Sequence, residues 1–355
     1  MITKIKSDKT KNKKTENSTE KQTQEKQAQH HSHAEQFDNI LICLDSSHVS
    51  ASVIPYAQIL ANALHTGIQL VHVIEPDHAH EAPFDPVEWS LRRQKASTYL
   101  NNMKSQYHLD TENTSTVVLE GEPAAAIDSG LKNSHNEISV FCRKEGREQG
   151  HIGGTSRKLL ERSVGSIFLV PERAKTPEPA NFQRIMVPLD GSSRAETVLP
   201  IASSIAQHYG ASIVLVYAVP QPDVLDDTPG DSKSEMLRYA LNKHNRTCAQ
   251  RYLDRIGRRL NQTKVKIEKR VLSGNDAKHL LIRSISLQNV DCVVLSSHGV
   301  SAQADVPFGD VTNHVLSHSP VPVLMLRDLT LSSAASLMIK LSNSSGRLPD
   351  AASNE

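Results

Sequence analysis

The chain has 355 residues, enough for two domains of ordinary size. Its 40 Lys+Arg against 39 Asp+Glu leave a formal net charge of +1, which gives no electrostatic push toward nucleic acid or a membrane surface. No apolar stretch nears the ~20 residues that a membrane-spanning helix needs, and the basic N-terminus has no apolar segment behind it, so it does not read as a secretory signal.

Residues 1–36 are rich in Lys, Gln, Glu and Thr, with almost nothing apolar after Ile5. Such a segment buries too little surface to offset its ordering entropy and is expected to be a disordered polar tail. It ends in HHSH (His30, His31, His33), a cluster open to two readings, a metal site or a solvated tail. Residues 329–355, rich in Ser, Ala and Asn, read as a flexible C-terminal tail.

Between the tails the chain repeats itself. NILICLDSSHVSASVIPYAQILANAL (39–64) aligns with RIMVPLDGSSRAETVLPIASSIAQHY (184–209), so that Asp45 meets Asp190 and Pro55 meets Pro200. VLEGEPAAAI (118–127) matches VLSGNDAKHL (271–280), and GSIFLVPE (165–172) stands where VPVLMLRD (321–328) recurs. A period this long means two domains. They are expected at 37–172 and 184–328, with a linker at 173–183 inside the Pro- and charge-rich PERAKTPEPANFQ (171–183).

Within each copy, short apolar runs such as ILICL (40–44) and QLVHVI (69–74) read as buried strands. Segments with apolar residues at helical spacing separate them, including 87–104 and 234–260. Alternating strands and helices predict a parallel sheet covered on both faces, an α/β fold in each copy. Pro55 and Pro200 fall inside the first helices and are expected to kink them. Pro322, at the start of the last strand, suits a sheet edge. Two copies in one chain would cover each other's edges, so the domains are expected to pack as an internal pseudo-dimer.

Cys43, Cys142, Cys248 and Cys292 are scattered, without zinc spacing or a disulfide framework. They read mostly as buried small hydrophobes of a cytoplasmic protein. Cys43 and Cys142 on neighbouring strands leave a redox pair as an alternative.

In an open parallel sheet, ligands bind beyond the carboxyl ends of the strands. Asp190, in PLDGSS, sits at such an end, where it would either accept hydrogen bonds from an adenine amine or ribose hydroxyl, or cap the next helix. Asp45 offers the same two readings. SSHGVSAQADVPFGDVT (296–312) follows a later strand; its glycines let backbone N–H groups approach an anion, and the next helix starts near Gly309. No Ser–His–Asp set, metal cluster or acid–base pair emerges from spacing, so catalysis is not expected, with weak ATP hydrolysis left as an alternative. His72, His78 and His80 read as scattered surface histidines, and His298 as structural.

VPLDGSSRAETVLPIA (187–202), SSHG (296–299) and FGDVTNHVLSHSPVPVLML (308–326) resemble the universal stress protein family in its tandem two-domain form, over about residues 37–328. The resemblance implies a Rossmann-like, adenine nucleotide alpha hydrolase-like fold with a five-stranded parallel sheet in each domain. It also implies pairing through the last strand and a role in stress response by binding. Members that bind ATP carry G-x-x-G-x9-G-[ST]; here those positions are Ser296, Gly299, Gly309 and Asp310. By resemblance, Pro188, Asp190 and Ala218 would line an adenosine pocket, with Leu295 and Ser296 behind the base. Gly299, Gly309 and Val311 would bring backbone to the phosphates of ATP or AMP.

Asp310 stands where a hydroxyl would donate to phosphate. Two like charges ~4 Å apart cost on the order of 4 kcal/mol at an effective dielectric of ~20, roughly a thousandfold in affinity. Mg bridging the carboxylate and the phosphates would reverse that sign, and a plain helix cap is the third reading. In the first copy, counting back from the last strand puts Val140, Arg143, Gly153 and Gly154 at the loop positions, a poorer match. Arg143 and Lys144 would there either attract another anion or face water. The expected partners are the other domain of the chain, a second copy in a homodimer and an unidentified signalling protein. The rival reading is an interaction module with both pockets vestigial.

Overall fold

The computed structural model describes residues 37–75, 86–131, 137–144, 154–162, 165–175, 180–221, 232–299 and 308–327. Both tails, with His30, His31 and His33, and also His78, His80 and Gly153, lie outside the described residues. The first half runs β1 (Asn39–Leu44), α1 (His48–Ala51), α2 (Ile54–Leu64), β2 (Gly67–Ile74), α3 (Pro86–Gln106), β3 (Thr114–Glu120), α4 (Pro123–Leu131), β4 (Glu137–Arg143), α5 (Gly154–Arg162) and β5 (Ser166–Pro171). The second half repeats the order: β6 (Arg184–Leu189), α6 (Ser193–Glu196), α7 (Leu199–Tyr209), β7 (Ser212–Pro220), α8 (Ser232–Leu260), β8 (Lys266–Gly274), α9 (Ala277–Leu287), β9 (Cys292–Ser296), α10 (Asp310–His318) and β10 (Val323–Leu326).

Among the described residues, ten strands form one sheet, ordered β3-β2-β1-β4-β5-β10-β9-β6-β7-β8. Pairing within each half is parallel, and the halves meet where β5 and β10 run antiparallel. There Val323 faces Leu169, Leu324 faces Phe168 and Met325 faces Ile167, so a local two-fold axis passes through the Leu324–Phe168 pair. Tyr209 adds a cross-half hydrogen bond, its hydroxyl donating to the Ile59 carbonyl at 2.7 Å.

Helices cover both faces, which is why β4 and β5 are buried at every position instead of alternating. One core joins Ile40, Ile42 and their neighbours to α2, α3, α7 and α8. The other joins Leu41, Phe141 and Leu295 to α4, α5, α9 and α10. Both cores cross the seam between the halves.

One sequence expectation needs correction. Pro55 and Pro200 do not kink a helix: each lies in the first turn of α2 or α7, where its missing N–H has no intrahelical partner to lose. The one-turn helices α1 and α6 precede them, capped by Ser47 and Ser192. Pro322 immediately precedes β10, which ends the strand order of its own half and pairs there with β5 of the other half. Within the segment that joins the halves, Phe182 is fully buried and packs edge-on against Phe168 with ring centroids 6.4 Å apart.

Candidate functional site

At the carboxyl ends of β6, β7 and β9, all nine sequence-predicted positions line one cleft: Pro188, Asp190, Ala218, Leu295, Ser296, Gly299, Gly309, Asp310 and Val311. The cleft is open to solvent at its mouth. Its lining includes apolar Val216, Leu281 and Val315, and two of its polar residues, Ser296 and Thr312, are buried.

Asp190 is fixed by its own turn. Its Oδ1 accepts from the Ser192 N–H at 3.0 Å and from the Ser192 hydroxyl at 2.7 Å. Ser192, not Asp190, caps α6, accepting from the Ala195 N–H at 3.1 Å. This settles one of the two readings of Asp190: the carboxylate orients the cap and is not itself the cap. The Tyr217 hydroxyl donates to the Asp190 carbonyl at 3.2 Å. Gly299 lies against the other carboxylate oxygen, and a Cβ there would sit 2.1 Å from Asp190 Oδ2. The glycine therefore makes room for the aspartate.

At the opposite end of the cleft, Gly309 is the N-cap of α10, with extended backbone and no side-chain cap. Its N–H donates to the Ser297 carbonyl at 2.8 Å, and the Thr312 hydroxyl donates to the Ser296 carbonyl at 3.0 Å. Asp310 is the first residue of the helix and so is not its cap. Its carboxylate complements the positive end of the helix dipole and pairs with Lys278 Nζ at 3.1 Å. The hydrogen bond to Asp310 raises the pKa of Lys278 above its ordinary value. Lys278 follows the α9 cap Asp276, which accepts from the Lys278 N–H at 2.8 Å.

Sequence reasoning missed Lys278. The signal was present in SGNDAKH (273–279), where a helix cap at the end of a strand puts the following lysine in the first turn at the ligand edge. His298 lines the same cleft; its Nδ1 shares a hydrogen bond with the Ser297 hydroxyl at 3.0 Å, and its carbonyl accepts from Ser296 at 2.6 Å. His72 shares a hydrogen bond through Nδ1 with the Leu44 carbonyl at 2.8 Å and packs on Tyr99, so it is structural.

The first half has the corresponding cleft, about 920 Å³ to its mouth. Strand registers align Cys142 with Ser296, because both Ile138 and Cys292 stand opposite matched residues of β1 and β6. The positions expected at Val140 and Arg143 are therefore displaced by two. From Cys142 to Gly154 is 12 residues, whereas from Ser296 to Asp310 is 14, so counting back from the last strand overshoots. Val140 is buried core, and Gly154 is the counterpart of Asp310 at the helix start.

Neither basic residue of this loop is spare. Arg143 is buried and bonded into the other half. Lys144, the counterpart of His298, forms an ion pair with Asp45. Burial raises the Asp45 pKa, but hydrogen bonds from Lys144, Ser47 and Ser50 outweigh it and hold the carboxyl well below the usual range.

Cys43 and Cys142 point to opposite faces, Cys142 joining the core with Ile42 and Cys43 packing on that of Leu41. They form no disulfide. Burial pushes the Cys43 thiol to about 12 and the Cys142 thiol to about 11, which leaves almost no thiolate for redox chemistry. Among the described residues, no group of three or more His, Cys, Asp or Glu could hold a metal ion, and no helix is long and apolar enough to cross a membrane.

The chain matches the model of the universal stress protein family twice, over residues 36–171 and 181–327. It is 23% identical over 270 residues to universal stress protein Rv2005c of Mycobacterium tuberculosis, covering 73% of this chain and 87% of that one. It is 22% identical over 317 residues to universal stress protein Slr1230 of Synechocystis, covering 81% and 99%. The crystal structure of a universal stress protein from Archaeoglobus fulgidus overlays with a TM-score of 0.59 at 14% identity, covering 81% of this chain and 98% of that one. Two matches to the family model, one on each half of the described fold, place this chain in the universal stress protein family in its tandem form.

Proposed function

We propose that this chain acts in stress response by binding rather than catalysis, with the second half as an adenine-nucleotide site and the first half as its structural partner. The observation that carries this reading is the gathering of Asp190, Gly299, Gly309 and Ser296 around one cleft. Pro188, Ala218 and Leu295 would hold the adenosine by apolar contact, and Asp190 Oδ2 would accept from its polar edge. The Gly309 end, at the N-terminus of α10, would face the phosphates.

The Lys278–Asp310 pair sets which nucleotide is favoured. Lys278 offsets part of the repulsion that Asp310 exerts on phosphate, yet it is engaged by that same carboxylate. A single phosphate is accommodated at lower electrostatic cost than three, so AMP is the favoured ligand over ATP. Mg would join through the phosphates with Asp310 as its one protein carboxylate, the arrangement this ion commonly takes. The cytoplasm is the proposed compartment, in keeping with four unpaired thiols, and the output would be contact with a signalling protein.

Calorimetric titration of ATP, ADP and AMP, with and without magnesium, tests the reading. In wild type, AMP is expected to bind best without magnesium, and Asp310→Ser should strengthen ATP by about 30-fold, near 2 kcal/mol. The rival reading is a non-nucleotide interaction module, favoured by the Lys278–Asp310 pair occupying the phosphate end. Silence toward all three nucleotides in both proteins would overturn the nucleotide reading and turn the search to protein partners.

A further inference from the structure

The helix that presents Gly309 and Asp310 to the cleft is held at its far end by the other half. Arg143, at the end of β4 and only 6% exposed, donates from one terminal nitrogen to the Leu316 carbonyl at 2.7 Å. Its other terminal nitrogen donates to the Ser319 carbonyl at 2.8 Å. Leu316 lies in the last turn of α10 and Ser319 is its C-cap, so Arg143 serves carbonyls that the helix leaves without partners. A cation there also complements the negative end of the dipole.

The reverse brace exists as well. Arg327, just after β10, donates to the Leu160 carbonyl of α5, and Leu160 is the two-fold counterpart of Leu316. The two arginines are not counterparts of each other: Arg143 corresponds to Ser297, and Arg327 to Pro171. Each half thus holds the other's site helix by a residue its partner half lacks. Between its ends α10 has nine residues. Its position is set by three attachments: the Gly309 and Thr312 bonds to the end of β9, the buried Val315 and Leu316, and Arg143.

We infer that Arg143 is a positioning residue of the second-half cleft, through which the first half sets the placement of Gly309 and Asp310 opposite Asp190. The inference rests on the nucleotide reading for its affinity consequence. Its mechanical part stands apart from that reading and has its own readout. The first half thereby gains a role beyond scaffolding, because the position that carries a serine in one copy carries, in the other, an arginine that reaches across the seam.

The test compares Arg143→Met, Arg143→Lys and Tyr209→Phe in the full chain. Tyr209→Phe removes a cross-half hydrogen bond on the opposite face of the sheet, remote from α10. Arg143→Met should weaken AMP about tenfold, the scale for a residue acting at a distance. It should also speed amide exchange in Asn313–Leu316 while β6 and β7 stay protected. Arg143→Lys, which keeps one donor, should recover part of both effects, and Tyr209→Phe should produce neither. Equal effects of Arg143→Met and Tyr209→Phe would overturn the inference. If wild type binds no AMP, exchange decides alone: acceleration confined to α10 sustains the brace, and uniform acceleration removes it.

Discussion

The two clefts share one backbone plan and differ in four side chains that matter. Pro188, His298, Lys278 and Asp310 of the second half stand where the first half has Cys43, Lys144, Ala124 and Gly154. The strand-end aspartate is common to both, and each is oriented by a serine two residues later. What separates them is the loop residue beside the other carboxylate oxygen. In the first half Asp45 Oδ2 is bound by Lys144; in the second, Asp190 Oδ2 faces Gly299. Charge has moved as well: the lysine sits beside the strand-end aspartate in one cleft and beside the helix-start aspartate in the other. Duplication kept the scaffold, and single substitutions at its rim reassigned where each cleft directs its polar groups.

That contrast can be broken in three places. The largest effect is expected from Gly299→Ala, whose Cβ would overlap Asp190 Oδ2 at 2.1 Å. The carboxylate must swing off its serine, and AMP affinity should fall by about 100-fold, near 2.7 kcal/mol, with the fold intact by circular dichroism. Next is Lys278→Ala, which imports the first half's residue. It leaves Asp310 without this cation, and ATP affinity should drop about tenfold in a calorimetric titration, with AMP affected less.

The smallest is Lys144→Met, read through acid unfolding. The pKa of Asp45 is depressed in the folded state, because hydrogen bonds from Lys144, Ser47 and Ser50 outweigh burial. Its stabilising contribution is therefore complete above the ordinary carboxylate pKa, and it disappears as pH falls through the lower folded value. Removing Lys144 should bring that folded value back up and shift first-half acid unfolding to higher pH. The pair is half-exposed, so the loss at neutral pH should stay below about 1 kcal/mol.

Most of the fold was legible because its causes are local or periodic. Apolar runs marked the strands, and the recurrence of Asp45 and Pro55 at Asp190 and Pro200 exposed the duplication. Asp190 and the glycines of 296–312 were legible from their place just after strands, whereas Pro188, Ala218, Leu295, Ser296 and Val311 were legible only through the resemblance to the family. What escaped depended on contacts between distant residues. Lys278 meets Asp310 across 32 positions and Arg143 meets Leu316 across 173; neither pattern has a period. The first-half loop was misplaced because a two-residue shortening between β4 and α5 is invisible when one counts from a single end. The prolines misled because a helix start and a helix kink place Pro in similar apolar surroundings. Only the short helices before Ile54 and Leu199 show which it is.

The central claim is asymmetry: one cleft takes adenine nucleotide and its copy does not. The direct measurement is the stoichiometry of AMP bound per chain by calorimetry, with amide exchange locating the protected segments. One AMP per chain, protecting the starts of α6 and α10 and leaving α1 and α5 unchanged, is the predicted result. Two per chain, or protection centred on Asp45 and Gly154, would contradict it.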